Sequence, residues 1–389
     1  MYKFVKSDNG LASFTIVFNG AGLLEGPGTY GYSHLIEHLV AKKLKKYENK
    51  FHEYGLVYNA ATSNNRIFYY IKGLDDGVCK FKKTLMDIVC SGTVDLTEED
   101  LAAEKEIVKS ECAMNLMSPL NAHLDILSRT KFNIVSPIGL MSDIENATVD
   151  SVQRFENEEV QVRPACIIDI SSKPITKFSE LVNINWDINE SDKYDDCNMF
   201  KFGKSKRVPK DDFCTSYWDD STSVVAAFKV DYDEMPYMQL AAEILGSGLD
   251  SPLYNEIRNK RNLAYAVHCL VYPVAKNFGI FLVATTVTKG KVTDVRHTIT
   301  QVLGNPKKFI KLGRLKSICK GIQAADKINQ IKITDNALSL IDRENTVEEL
   351  VEKNEANEIL LSKTIKAFSK VVKYPGNNIS TYNGNKQYK

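Results

Sequence analysis

The 389-residue chain lacks what several function classes need. No stretch reaches the roughly 18 consecutive apolar residues that span a bilayer, and the opening residues Met1 to Phe14 carry neither the apolar core nor the small-residue cleavage site of a secretion signal. Charge of neither sign is in excess: 50 basic residues stand against 49 acidic ones, a formal charge of +1. So balanced a chain has no global field to draw it to nucleic acid or to a membrane surface, and a partner must be recognised locally. Its eight cysteines include no Cys-x-x-Cys pair, which speaks against a thiolate zinc site, and a chain of this length does not depend on disulfide staples. The expectation is a soluble, cytoplasmic protein with reduced cysteines and neither nucleic acid nor membrane as a partner.

What is present is apolar material, 43% of the residues, enough for sizeable cores in two domains. Phe14 to Phe18 predicts a strand, and the run from Asn19 to Gly31, with five glycines and Pro27, predicts a loop. From Tyr32 to Lys46 the breakers vanish and Leu35, Leu39, Val40 and Leu44 recur at helical spacing, with Ser33 as the expected N-cap. Strands at 56–59 and 67–71 flank a polar interruption at 62–66. Helices are expected over 77–90, from a capping pair Thr97 and Asp100 onward, and within 118–158, followed by a short strand over 165–170. After a polar, weakly periodic stretch, strand 223–230, helix 236–245 and strands 265–271 and 279–286 repeat the order of the first half. The reading is α+β: domains at 1–185 and 213–389, joined by a linker at 186–212, each with helices packed on a largely antiparallel sheet.

Histidines are scarce, six in all, yet His34, Glu37 and His38 spell His-x-x-Glu-His on the predicted helix. One turn apart, both imidazoles can bind a single metal, and Glu37 shares their face, where it can reach a water beside that metal. The order is that of the inverted zinc-hydrolase motif. Such a triplet can also be a surface hydrogen-bond cluster, so a third ligand decides between the two readings. Glu104 and Glu111 lie seven residues apart on the helix after Thr97, project from one face, and either can complete the site. With Glu98, Glu99, Asp100 and Glu106 nearby, the same helix also reads as a solvated acidic face. His52, His123, His268 and His297 have no ligand-spaced partner and are expected to be ordinary histidines.

Together these segments resemble the pitrilysin, insulin-degrading enzyme and mitochondrial processing peptidase group of zinc peptidases. Glu-Lys-Glu-Ile-Val-Lys-Ser-Glu at 104–111 looks like that family's second helix. The resemblance implies Zn²⁺ held by His34, His38 and Glu111, Glu37 as the base, and Glu104 as a supporting carboxylate. Gly-Thr-Tyr-Gly-Tyr-Ser-His at 28–34 and Asn-Ala-Ala-Thr-Ser at 59–63 extend it, and imply that Asn59 and Ala60 lie beside an extended peptide on an edge strand. Ile-Arg-Asn-Lys-Arg-Asn-Leu-Ala-Tyr at 257–265 is similar to a second-domain element whose arginine and tyrosine contact substrate, matched by Arg258 and Tyr265. A guanidinium and a phenol offer donors where charge develops on a carbonyl oxygen. Two departures stand out: Leu-Val-Ala-Lys-Lys-Leu-Lys-Lys at 39–46 replaces the family's phenylalanine and Gly-Thr pair, and Asn262 stands at a usual glycine. The protein so implied is one half of a clamshell, a zinc-dependent endopeptidase paired with a second copy or a related subunit. The alternative is a non-catalytic structural or peptide-binding subunit of a peptidase complex.

Overall fold

The structure, a computed structural model, describes residues 2–162, 165–175, 221–275, 278–331 and 345–383. They divide into two compact units. The expected linker at 186–212 lies outside the described residues.

In the first unit, β1 (Tyr2–Lys6), β2 (Leu11–Asn19), β3 (Leu56–Thr62), β4 (Arg66–Leu74) and β5 (Cys166–Ser171) form one sheet in the order β1-β5-β2-β4-β3. All its pairings are antiparallel except β1 beside β5. The helices of this half of the chain are α1 (Tyr32–Lys45), α2 (Glu48–Glu53), α3 (Asp75–Ser91), α4 (Glu98–Leu116), α5 (Pro119–Leu127), α6 (Met141–Asn146) and α7 (Val149–Phe155). Strand periodicity explains the core: Ala12, Phe14, Ile16 and Phe18 alternate along β2 and join Leu35, Ile36 and Val40 of α1 with Val78, Leu85 and Met86 of α3. Burying each large side chain of this set contributes about 2 kcal/mol. One edge is β3, whose outward residues Val57 and Asn59 are exposed.

In the second unit, β6 (Ser221–Asp231), β7 (Val267–Ala275), β8 (Phe278–Thr288) and β9 (Ile379–Tyr382) form a fully antiparallel sheet in the order β7-β8-β6-β9. Reversed, that order is β9-β6-β8-β7, which matches β5-β2-β4-β3 strand for strand and in pairing sense. The two units thus share one topology, with β1 an addition to the first. Each central strand leads to a helix, β2 to α1 and β6 to α8 (Met235–Gly246). Met238, Ala241 and Leu245 of α8 pack on Val224, Ala226 and Phe228 of β6 within one core.

One segment departs from the expected domains. Residues 113–132, read from the sequence as part of the first domain, belong to the second unit. There α5 packs on β6, β8 and β9, and His123 bridges Ser223 Oγ at 3.0 Å and Ser380 Oγ at 2.9 Å. All six described cysteines are free thiols, with Cys112, Cys166 and Cys319 buried. Among the described residues no helix is long and apolar enough to cross a membrane.

Candidate metal centre

The site is built on α1. Apolar residues on one side of that helix fix its rotation against the sheet, and this turns His34, Glu37 and His38 toward α4. The imidazole centroids are 4.6 Å apart, as expected one turn apart on a single face. From α4, Glu111 Oε2 lies 3.5 Å from His34 Nε2 and 3.5 Å from His38 Nε2. Ligands 2.0–2.1 Å from a tetrahedral zinc ion sit about 3.3–3.4 Å from one another, so these spacings fit one ion between them. Among the described residues this is the one group of His, Cys, Asp or Glu side chains close enough to hold a metal.

The environment suits metal binding. Burial, with His38 beside it, holds the pKa of His34 down at about 4, so its imidazole is neutral. Glu104 Oε2 lies 3.3 Å from His38 Nδ1, an arrangement that keeps the proton on Nδ1 and the Nε2 lone pair toward Glu111. Lys42, one turn beyond His38, bridges Asp100 Oδ1 at 2.9 Å and Glu104 Oε1 at 3.7 Å. Lys42 thus places a cation behind Glu104, on the side away from His38. The Glu111 side chain is 40% exposed, which leaves that side of the group open to solvent.

Glu37 is buried beside the group, its Oε2 3.9 Å from His34 Nε2. Burial pushes its carboxyl up to about 7, against the pull of His38 and of a hydrogen bond from Thr62 Oγ1 at 3.3 Å. Thr62 is the last residue of β3, so the edge strand ends against the carboxylate between the two histidines. Asn59 and Ala60 lie on that strand, paired with Tyr70 and Tyr69 of β4.

The expected N-cap needs correction. Gly31, with φ 97°, occupies the cap of α1, and Ser33 is already inside the helix. A Cβ at Gly31 would meet Ile138 O at 2.8 Å and Gly139 Cα at 2.9 Å, so no capping side chain fits there. Glu25 performs that role from the loop, accepting from Gly31 N and Ser33 N, each at 2.8 Å. Glu25, Lys42 and Thr62 were not singled out from the sequence. Of the three, Lys42 carries a local signal, being four residues after His38 on the same helical face.

Arg258 and Tyr265 belong to the second unit, where they form a cluster of their own. The guanidinium carbon lies 4.3 Å from the Tyr265 ring centroid and 5.1 Å from that of Tyr254, and Nη1 donates to Tyr265 O at 2.8 Å. Tyr265 is 80% exposed, so its phenol is free to meet another molecule. Asn262 adopts φ 49° and thereby keeps the left-handed turn that a glycine would make.

Comparison with known proteins agrees with this architecture. The family model described as insulinase (peptidase family M16) matches residues 7–136, and the one described as peptidase M16 inactive domain matches residues 201–312. The chain belongs to the M16 peptidase family. The first match contains His34, Glu37, His38, Glu104 and Glu111, and the second contains Arg258 and Tyr265. The zinc protease PqqE of Helicobacter pylori is 24% identical over 286 residues, 67% of this chain and 61% of that one. The chain thus spans less than two thirds of the length of that relative. Among solved structures, a protease from Helicobacter pylori aligns with a TM-score of 0.73 at 19% identity, over 97% of this chain and 95% of that one. Pitrilysin aligns with a TM-score of 0.60 at 15% identity, over 97% of this chain but 43% of its own. These likenesses establish the fold of a half-length M16 member.

Proposed function

We propose that this M16 chain is a zinc-dependent endopeptidase that hydrolyses peptide bonds in extended peptides or small unstructured polypeptides. The observation that carries the proposal is the meeting of His34 Nε2, His38 Nε2 and Glu111 Oε2 at zinc-ligand spacing, with Glu37 beside them at the end of an edge strand. The zinc in the names of relatives such as PqqE supports the choice of metal.

His34, His38 and Glu111 would hold Zn²⁺ through three ligands. Bound there, the ion supplies a Lewis acid for a carbonyl and brings the pKa of water near neutrality. Glu37 takes a proton from the attacking water and returns it to the leaving amine, while Glu104 keeps His38 in its metal-binding tautomer. The edge of β3 aligns substrate through main-chain hydrogen bonds, with Asn59 and Ala60 beside the peptide, so selection falls on extended conformation more than on sequence. Arg258 and Tyr265 of the partner subunit would donate to the carbonyl oxygen as charge develops there. The working unit would be a dimer with a second copy or a related subunit.

The description of the second family model as an inactive domain favours a second reading, a subunit that binds peptides without cleaving them. Mass spectrometry separates the two. The zinc-loaded protein, incubated with a mixture of unstructured peptides, is expected to yield internal cleavage products that disappear with a chelator. Peptides bound but left intact would establish the second reading.

A further inference from the structure

The loop before α1 is held by two carboxylates. Asp143 Oδ2 accepts from Gly28 N at 2.9 Å and Tyr30 N at 3.0 Å, and Glu25 accepts from Gly31 N and Ser33 N with one oxygen each. A helix leaves its first N–H groups without intrahelical partners, and a side chain at the cap position ordinarily serves one of them. Here close packing of Gly31 against residues 138–139 forbids that side chain, so the first turn depends on a carboxylate six residues upstream. His34 follows immediately after Ser33, in that same first turn, whereas His38 sits one turn deeper and is held separately by Glu104.

We infer that Glu25 is a positioning residue for the metal centre: by clamping the first turn of α1 it sets His34 in register with His38 and Glu111. This rests on the reading of those three as zinc ligands. Without the clamp the first turn frays, and the separation between His34 and Glu111 widens while that between His38 and Glu111 persists. A cap that merely stabilised the fold would lower the melting temperature and leave zinc affinity in the folded protein unchanged. Asn357 provides the comparison, because it caps the helix Glu358–Val371 in the second unit by accepting from Ile359 N and Leu360 N.

The test is zinc affinity by chelator competition, alongside melting of the zinc-free chain, for the parent, Glu25→Ala, Glu25→Gln and Asn357→Ala. The expected result is a zinc Kd raised about 10- to 100-fold in Glu25→Ala, with Asn357→Ala within about threefold of the parent. Glu25→Gln keeps one acceptor oxygen and is expected between the two; it carries the test if Glu25→Ala does not fold. Parent-like zinc affinity in the folded Glu25 variants would overturn the inference alone. A parent that binds no zinc would overturn the metal-site reading and this inference with it.

Discussion

Glu104 and His38 are joined across two helices, carboxylate Oε2 to imidazole Nδ1 at 3.3 Å, and Lys42 reaches the other oxygen of the same carboxylate at 3.7 Å. The His38 Nε2 that faces Glu111 is thus set by a chain of contacts on the far side of the ring. Removing that chain acts on metal affinity before it acts on the fold. Glu104→Ala is expected to weaken zinc binding about 10- to 100-fold. Lys42→Met, one contact further out, is expected to have a smaller effect in the same direction. Chelator competition with both variants checks the ranking; equal effects would place Lys42 on the histidine as directly as Glu104.

The dimer reading makes a prediction about mixtures. If Arg258 and Tyr265 of one copy serve the zinc site of another, Arg258→Ala and Glu37→Gln are each inactive alone but complement when exchanged. Random pairing puts about half the chains in mixed dimers, each with one intact site, so about a quarter of the parent rate should return. No recovery after denaturation and refolding of the mixture would show that the two sets of residues act within one copy or with a different subunit.

His123 gives a pH signature in the second unit. Burial holds its pKa down at about 4, from an ordinary value of 6.5. Between those values the unfolded chain binds a proton that the folded chain does not, so stability falls as pH drops from about 6.5 toward 4 and then levels off. At pH 5 this group alone is expected to cost about 2 kcal/mol relative to pH 7. Denaturant melts of the parent and His123→Asn at both pH values isolate the effect, and the variant should lose less on acidification by that amount.

Much of this was legible in the sequence because the signals were local. The apolar spacing of α1, the Thr97–Asp100 pair at the start of α4 and the β-branched runs of β2 and β6 each reflect the chain's own periodicity, and all formed as expected. The failures involve distant partners. Strand β1 gains its identity from Cys166–Ser171, far along the chain, and β9 from Ser223–Ala226. Ser33 looked like a cap because it is the residue type that caps, but a buried backbone contact at Gly31 gave the role to Glu25. Nothing in residues 113–132 announces which core they join, since an amphipathic helix fits either. The closeness of His34 and His38 was foreseeable because helical geometry places i and i+4 together; Thr62 beside Glu37 was not, because that contact depends on how β3 meets α1.

The central claim is that Glu37 moves protons beside a zinc ion that other residues hold. Measuring zinc content and peptide turnover together in Glu37→Gln tests it most directly. The account predicts that the variant keeps the parent's zinc stoichiometry while turnover falls about 10²- to 10⁴-fold. Cleavage at the parent's rate by the zinc-loaded variant would contradict it.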